Sequence, residues 1–367
     1  MRFNKYNDLW TKTTLNTVVE RITRRNTNNE SNLPLTISAQ YGLINQNEFF
    51  NKQIASRDLT NYILLNRGEF AYNKSYSSEY PWGAVKRLDK YDKGVLSSLY
   101  ICFAPKSNVD SDFLIHYFET SKWYNEISNI AGEGARNHGL LNMAVSDYFN
   151  TKHSFPSIQE QHKISQFLNL INQRIDTQSK IIEKYESLIK VINQMMCNFD
   201  HEKIQVQNVF DFKEKTKHQA NMGNSQGNFI YFTNEESTYK YFDSYDFDGE
   251  YIIANTGGKA NFKYYNGKFA VMSDCLVMEC NDNQNTKFYL YSILNRIDYI
   301  NQVCFVGSGL KHLDKKLFFK TFITKFNNNL EPFINLIILL EKKISNDKIL
   351  LQKLKEQKKY LLSNMFI

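Results

Sequence analysis

Basic residues interleaved with aromatics and amides are the side chains of this 367-residue sequence best suited to chemistry. The segment NTGGKANFKYYNGK, residues 255–268, places Lys259, Lys263 and Lys268 among Asn261, Phe262, Tyr264 and Tyr265, with no acidic residue. Lysine neutralises phosphate, aromatic rings stack or wedge, and asparagine can read base edges. A solvated hairpin with its aromatics turned inward explains that segment alone equally well. A similar mixture, Lys74, Tyr76, Tyr80, Trp82, Lys86 and Arg87, occurs in the first half, diluted by Glu79 and Asp89. Two glycine-bearing loops add further candidates, Arg136, Asn137 and His138 in one and Lys311 and His312 in the other.

Catalytic chemistry has no comparable foothold. GGK at 257–259 lacks the first glycine and the spacing of a phosphate loop, and no GxGxxG turn or [ND]PP[YFW] signature occurs. Glu133 with Arg136 and His138 can be drawn as an acid/base set, but a glycine-rich loop with three polar residues is ordinarily a solvated turn. No catalytic and no metal-ligating residue is assigned. Cys102, Cys197, Cys275, Cys280 and Cys304 are odd in number, show no CxxC spacing, and are expected to be reduced and structural.

The elements that must position these loops are two long helices. Steps of four and three from Ile164 give Leu168, Ile171, Ile175, Gln178, Ile182, Tyr185, Ile189, Ile192 and Met196. The same steps give Phe333, Ile337, Leu340, Ile344, Asp347, Leu351, Leu354, Lys358, Leu361 and Met365, a constant shift of 169 residues (344 − 175). Such a period keeps one seam turned to a partner helix, so the two stretches are expected to pack against each other within the chain. A second column, Phe167, Ile181, Leu188 and Met195, echoed by Leu336 and Leu350, makes the apolar face wider than two strands need. Something else is expected to cover it.

The equal shift implies a duplicated unit, one globular segment followed by one rod. VLSSL at 95–99 recurs as VMSDC at 271–275, and FLIHYFETSKWYNEI, capped by Asp110 or Ser111, recurs as KFYLYSILNRIDYI. Within residues 33–105 the segments 33–44, 61–75 and 94–105 read as strands separated by loops, and Asn266-Gly267 reads as a two-residue hairpin turn. The expected fold is α+β with a pseudo-two-fold internal repeat. Its boundaries are residues 1–156, a first rod at 157–199, residues 200–329, and a second rod at 330–367, with the repeat axis near Lys180 and Ile349.

Composition is compatible with this plan. At 42% hydrophobic and 14% aromatic residues the chain is not largely disordered, and a mean hydropathy of −0.50 argues against a membrane protein. MRFNKYNDLW lacks the apolar core of a signal peptide, so a cytoplasmic location is expected. A net charge of +7 suits nucleic acid without requiring it.

The junction Pro156, Ser157, Ile158, Gln159, Glu160, Gln161, then IxxFLxxIxxxIxxQ from Ile164 to Gln178 and IxxMM at 192–196, resembles the specificity (S) subunit of type I restriction–modification systems. The second junction departs from this pattern, with Asn327 to Leu330 followed by Glu331 and Pro332. The resemblance implies a non-catalytic reader of double-stranded DNA with two target recognition domains, residues 1–156 and 200–329, each contacting half of a split target and separated by the two long helices packed as an antiparallel coiled coil. It implies docking of two methyltransferase subunits, which carry S-adenosylmethionine and methylate adenine, and of two restriction subunits using ATP and Mg. Methyltransferase helices would cover the wide apolar face, and the coiled-coil and subunit interface would comprise Ile164, Phe167, Leu168, Ile171, Ile175, Ile182, Ile189, Ile337, Leu340, Ile344, Leu351 and Leu354. No cofactor and no membrane contact is expected of this chain itself. The readings of other classes are an autonomous DNA-modifying enzyme and a coiled-coil scaffold without DNA specificity.

Overall fold

In the computed structural model the described residues are all of 1–367 except 1, 2, 4, 7, 39, 53, 133–138, 199–201, 236–239 and 282–284, with the side chains of 197 and 198 also outside the description. The chain forms two compact units, Met1–Ser179 with Ile349–Ile367, and Lys180–Lys348. The divisions at Lys180 and Ile349 are separated by the same 169 residues as the heptad repeat (349 − 180) and fall inside the two long helices.

The first unit begins with β1 (Thr11–Thr14), α1 (Leu15–Val18) and β2 (Val19–Arg21). A small excursion follows, β3 (Leu35–Ser38), β4 (Gly42–Asn45), α2 (Gln46–Phe50) and β5 (Ile63–Asn66). Then come β6 (Phe70–Asn73), β7 (Ala84–Arg87), β8 (Lys93–Leu96) and β9 (Ile101–Pro105). The unit continues through α3 (Ser111–Phe118), α4 (Tyr124–Ile130), α5 (Val145–Asn150) and β10 (Lys152–Phe155) into α6 (Ile158–Asn198). The central sheet has the order β2-β9-β6-β7, all antiparallel, and β1 pairs with β10. Its core packs Phe70, Tyr72 and Phe103 against Phe113, Trp123 and Tyr148, and takes in Ile164, Leu168 and Ile171 of α6. Leu361, Met365 and Phe366 belong to the same cluster.

The second unit repeats the plan. After the end of α6 come β11 (Lys203–Gln205), β12 (Phe210–Phe212), β13 (Phe229–Phe232), β14 (Lys240–Phe242), β15 (Phe247–Asn255), β16 (Phe262–Val271) and β17 (Cys275–Cys280). Next are α7 (Thr286–Leu294), α8 (Ile297–Tyr299), β18 (Phe305–Val306), β19 (His312–Leu313), α9 (Lys315–Phe319) and β20 (Phe322–Thr324), leading to α10 (Glu331–Met365). The sheet runs β12-β17-β15-β16-β13-β14, so its first four strands have the order and directions of β2-β9-β6-β7. β11 pairs with β20 as β1 pairs with β10, and α7 and α9 take the chain positions of α3 and α5. Phe210, Ile252, Phe288, Ile293 and Phe318 form the core, joined by Ile192 and Met196 of α6 and Ile334 and Ile337 of α10.

Three expectations are corrected. Asn266-Gly267 is no hairpin turn: β16 continues through it, pairing with β15 across eight residues, with Gly267 opposite Gly249. The turn lies instead at 256–261, where the Asn255 side chain closes it. The helix expected through FLIHYFETSKWYNEI is broken between α3 and α4. Thr120 Oγ1 donates to the Tyr117 carbonyl and accepts from Lys122 N, offering the backbone an alternative to the helix, while buried Trp123 donates to the Phe118 carbonyl. The loop expected before residue 94 contains β7, whose Ala84 and Val85 are buried.

Cys102, Cys275, Cys280 and Cys304 are buried and joined by no disulfide among the described residues, and burial pushes the Cys102 and Cys275 thiols up to about 12. Cys197 lies outside the described side chains. Among the described residues no helix is long and apolar enough to cross a membrane.

Candidate nucleic-acid interface

In the second unit the turn of the β15–β16 hairpin is built around one amide. Asn255, almost fully buried, donates through Nδ2 to the carbonyls of Gly257 (3.0 Å) and Lys259 (2.5 Å) and accepts from Asn261 N at 2.7 Å. This fixes a six-residue loop that leaves the Lys259 side chain exposed. The loop before β19 docks on it by backbone pairing: Gly258 N donates to the Lys311 carbonyl (2.8 Å) and Leu313 N to the Thr256 carbonyl (2.9 Å). Lys259 and His312, from segments some fifty residues apart, therefore line one cleft of 440 Å³ with Asn234, Thr256 and Leu310, and exposed Lys311 adjoins it. Among the described residues Asp274 is the one carboxylate lining it.

Two other candidates are turned to structure. Lys263 Nζ donates to the Glu235 carbonyl at 3.0 Å and stands 6.0 Å from the Phe232 ring. Tyr264 packs on the core beneath Lys287 (4.9 Å from its ring), and burial, with Glu250 adding to it, pushes its hydroxyl up to about 12. Asn261 is half-buried, its backbone held by Asn255. Leu310, 70% exposed, and Asn234, with Oδ1 buried and unpartnered among the described residues, were not singled out by sequence. An isolated leucine and asparagine carry no pattern; only the folded cleft selects them.

The first unit has the corresponding corner. Beyond β6, Lys74 and exposed Tyr76 lie in the loop to β7, and the chain leaving the glycine-rich segment pairs with it. Leu141 N donates to the Lys74 carbonyl (3.0 Å), and Tyr76 N donates to the Gly139 carbonyl (3.0 Å). Ser75 bridges Leu140 here as Gly257 bridges His312 in the second unit. Arg136, Asn137 and His138 lie outside the described residues. Trp82 is half-buried, its carbonyl accepting from Tyr72 Oη at 2.8 Å, while Tyr72 stacks on Tyr148 with ring centroids 4.8 Å apart. Gly83 is required at this turn, since its φ is +79° and an added Cβ would stand 2.2 Å from the Asn73 carbonyl oxygen.

Arg87 is engaged within its own unit through Nε and Nη1. Its guanidinium donates to Asp89 (2.7 Å), to Ser111 Oγ (2.8 Å) and to Asp112 (2.7 Å), and Asp112 accepts from Asn169 of α6 at 2.8 Å. Burial would raise the Asp112 carboxyl, but Arg87 and Asn169 outweigh it and hold it below its ordinary range. The charge expected at the interface instead ties β7 to α3 and to the rod.

Along the rods, the buried seam positions include Ile164, Leu168, Ile171 and Ile182 on α6 and Ile337, Ile344 and Leu354 on α10. Phe167, Ile175, Ile189, Leu340 and Leu351 are half-buried. In the first unit Phe167, Ile171 and Gln178 share a groove of 610 Å³ with Leu350 and Leu354. In the second, Glu186 pairs with Lys348 at 2.8 Å. Of the second column, Leu188, Met195, Leu336 and Leu350 stay exposed, whereas Phe167 and Ile181 are half-buried. The junction motif acts as a joint: Gln161, buried, donates to the Pro156 carbonyl (2.9 Å) and accepts from Asp110 N (2.9 Å), and Asp110 caps α3.

Two similar α+β units, each presenting a paired-loop corner and each contributing to two long helices, define a duplicated frame. That frame is the fold of the S subunits of type I restriction–modification systems. The whole chain matches 99% of the crystal structure of a type I restriction–modification system S subunit from M. genitalium, with a TM-score of 0.64 at 16% identity. It matches, over 98% of both chains, a structure addressing complex assembly and conformational transition of the type I R-M system, with a TM-score of 0.57 at 11% identity. The sequence matches no protein-family model and no curated protein.

Proposed function

We propose that this chain is the specificity subunit of a type I restriction–modification system, a non-catalytic reader of a bipartite DNA target. Each paired-loop corner would read one half-site, and α6 and α10 would pair antiparallel as the ruler that fixes their separation. The observation that carries this reading is the repetition of the corner within an S-subunit fold. A four-strand sheet of the same order and directions presents a hairpin loop bridged by a downstream loop in both units, with exposed cations or aromatics on it. The exposed column of Leu188, Met195, Leu336 and Leu350 supports docking of two methyltransferase subunits. S-adenosylmethionine, ATP and Mg would belong to those and to two restriction subunits, and the assembly would work in the cytoplasm.

A gel shift of the chain with its methyltransferase on genomic fragments tests the reading. A subset of fragments should be retained against excess competitor, and Lys259→Gln with Lys311→Gln should weaken retention and lower its salt dependence. Retention of no fragment, or equal retention of all, would favour a scaffold without specificity. Methylation by the chain alone would favour an autonomous enzyme.

A further inference from the structure

The first unit contains a cleft of 1080 Å³ that the sequence-identified loop only borders. One wall is the end of the β6–β7 loop with Tyr80 and Trp82, continued by Lys86 of β7, and a second is the α3–α4 connection with Glu119 and Lys122, continued by Tyr124 of α4. The third is the last turns of α10, where Lys355, Lys358, Lys359, Leu362 and Ser363 fall at i, i+3, i+4, i+7 and i+8 and so share one face. Among the described lining residues, five lysines thus meet one side-chain carboxylate. Glu119 is already engaged, 2.9 Å from Lys358 and 3.7 Å from His116. Lys122, Lys355 and Lys359 are exposed and have no carboxylate partner among the described residues. Burial pushes the Lys86 amine below its ordinary value, Glu119 opposing and Lys358 adding to the shift, so further cations at this spot stand against repulsion.

We propose that this cleft is a backbone track, in which Lys122, Lys355 and Lys359 hold the sugar–phosphate backbone of duplex DNA flanking the half-site of the first unit. The inference rests on the DNA-reading function above and extends it to the second long helix. A row of charges repeated about every 5 Å along a helix suits a polyanion better than a single phosphate. The cleft also adjoins the loop carrying Lys74 and Tyr76, so one strand could pass from reading corner to track. The track is not inherited by the repeat. The 169-residue shift places Glu186, Ile189, Lys190, Asn193 and Gln194 where Lys355, Lys358, Lys359, Leu362 and Ser363 stand, and Glu186 is paired to Lys348. Backbone protection should therefore extend beyond one half-site only.

The test is the salt dependence of binding to a random-sequence duplex by the full chain. Lys355→Gln with Lys359→Gln should reduce the slope of log affinity against log salt by roughly 1.8, two phosphates at about 0.9 each. Lys342→Gln with Lys353→Gln, which removes equal charge from α10 outside the cleft, should reduce it by less than half as much. An unchanged slope, or an equal reduction by both pairs, overturns the track while leaving the reading corners standing. If ATP stabilises the wild-type chain against heat and not the Lys355/Lys359 variant, with duplex binding equal in both, the cleft takes a mononucleotide and the proposal fails. Absence of any duplex binding by wild-type chain would instead remove the DNA-reading function itself.

Discussion

Arg87 and Lys259 have similar sequence surroundings and opposite fates. The Arg87 guanidinium is enclosed by Asp89, Ser111 and Asp112, whereas Lys259 projects from a loop held by Asn255. Arg87→Ala should therefore act on folding, at about 1–3 kcal/mol for lost charged hydrogen bonds, and leave DNA discrimination intact. Thermal unfolding and gel shift separate the two effects; unchanged stability with lost discrimination would return Arg87 to the interface. Acid should also act on this unit. Burial pushes His153, which bonds Tyr117 and Thr151, down to about 4 from 6.5, so the unfolded chain takes the proton first and stability declines as pH falls between those values. Burial raises Glu119, but His116 and Lys358 outweigh it and hold the carboxyl at about 2, so its contribution is present above 4.5 and lost towards 2. Acid unfolding followed by circular dichroism should show both limbs, and His153→Gln should flatten only the upper one. Little of this was legible beforehand, because which carboxylate meets a cation depends on tertiary neighbours such as Asp112, twenty-five residues from Arg87.

At the level of elements, the rods were the most legible part. A seam of period 3.5 is a local property, and Ile164, Leu168, Ile171, Ile182, Ile192 and Met196 are buried along it. The domains were less so: local turn chemistry at Asn266-Gly267 lost to an eight-residue ladder with β15, and helix periodicity lost to Thr120 and Trp123. The seam is also uneven, since Ile344 is 8% exposed while Ile175 is half-buried. Ile344→Asp should consequently destabilise by several kcal/mol, and Ile175→Asp by less because its carboxylate can reach water. Chemical denaturation of the two variants checks the order. Equal or reversed losses would mean that the seam runs on another face of α10.

For the whole molecule, the duplication was legible in the 169-residue shift, and the repeated strand order gives it a physical form. The proposed half-sites were not legible, because loops that would read bases carry no periodicity and their geometry is set by the fold beneath them. Duplication makes a specific demand on function: each unit should be exchangeable without disturbing the other. The direct measurement is methylome sequencing of cells in which residues 200–326 of this chain are replaced by the equivalent domain of another S subunit, expressed with the methyltransferase. One half of the methylated motif should change and the other half should persist. Change in both halves together, or in neither, would contradict the account.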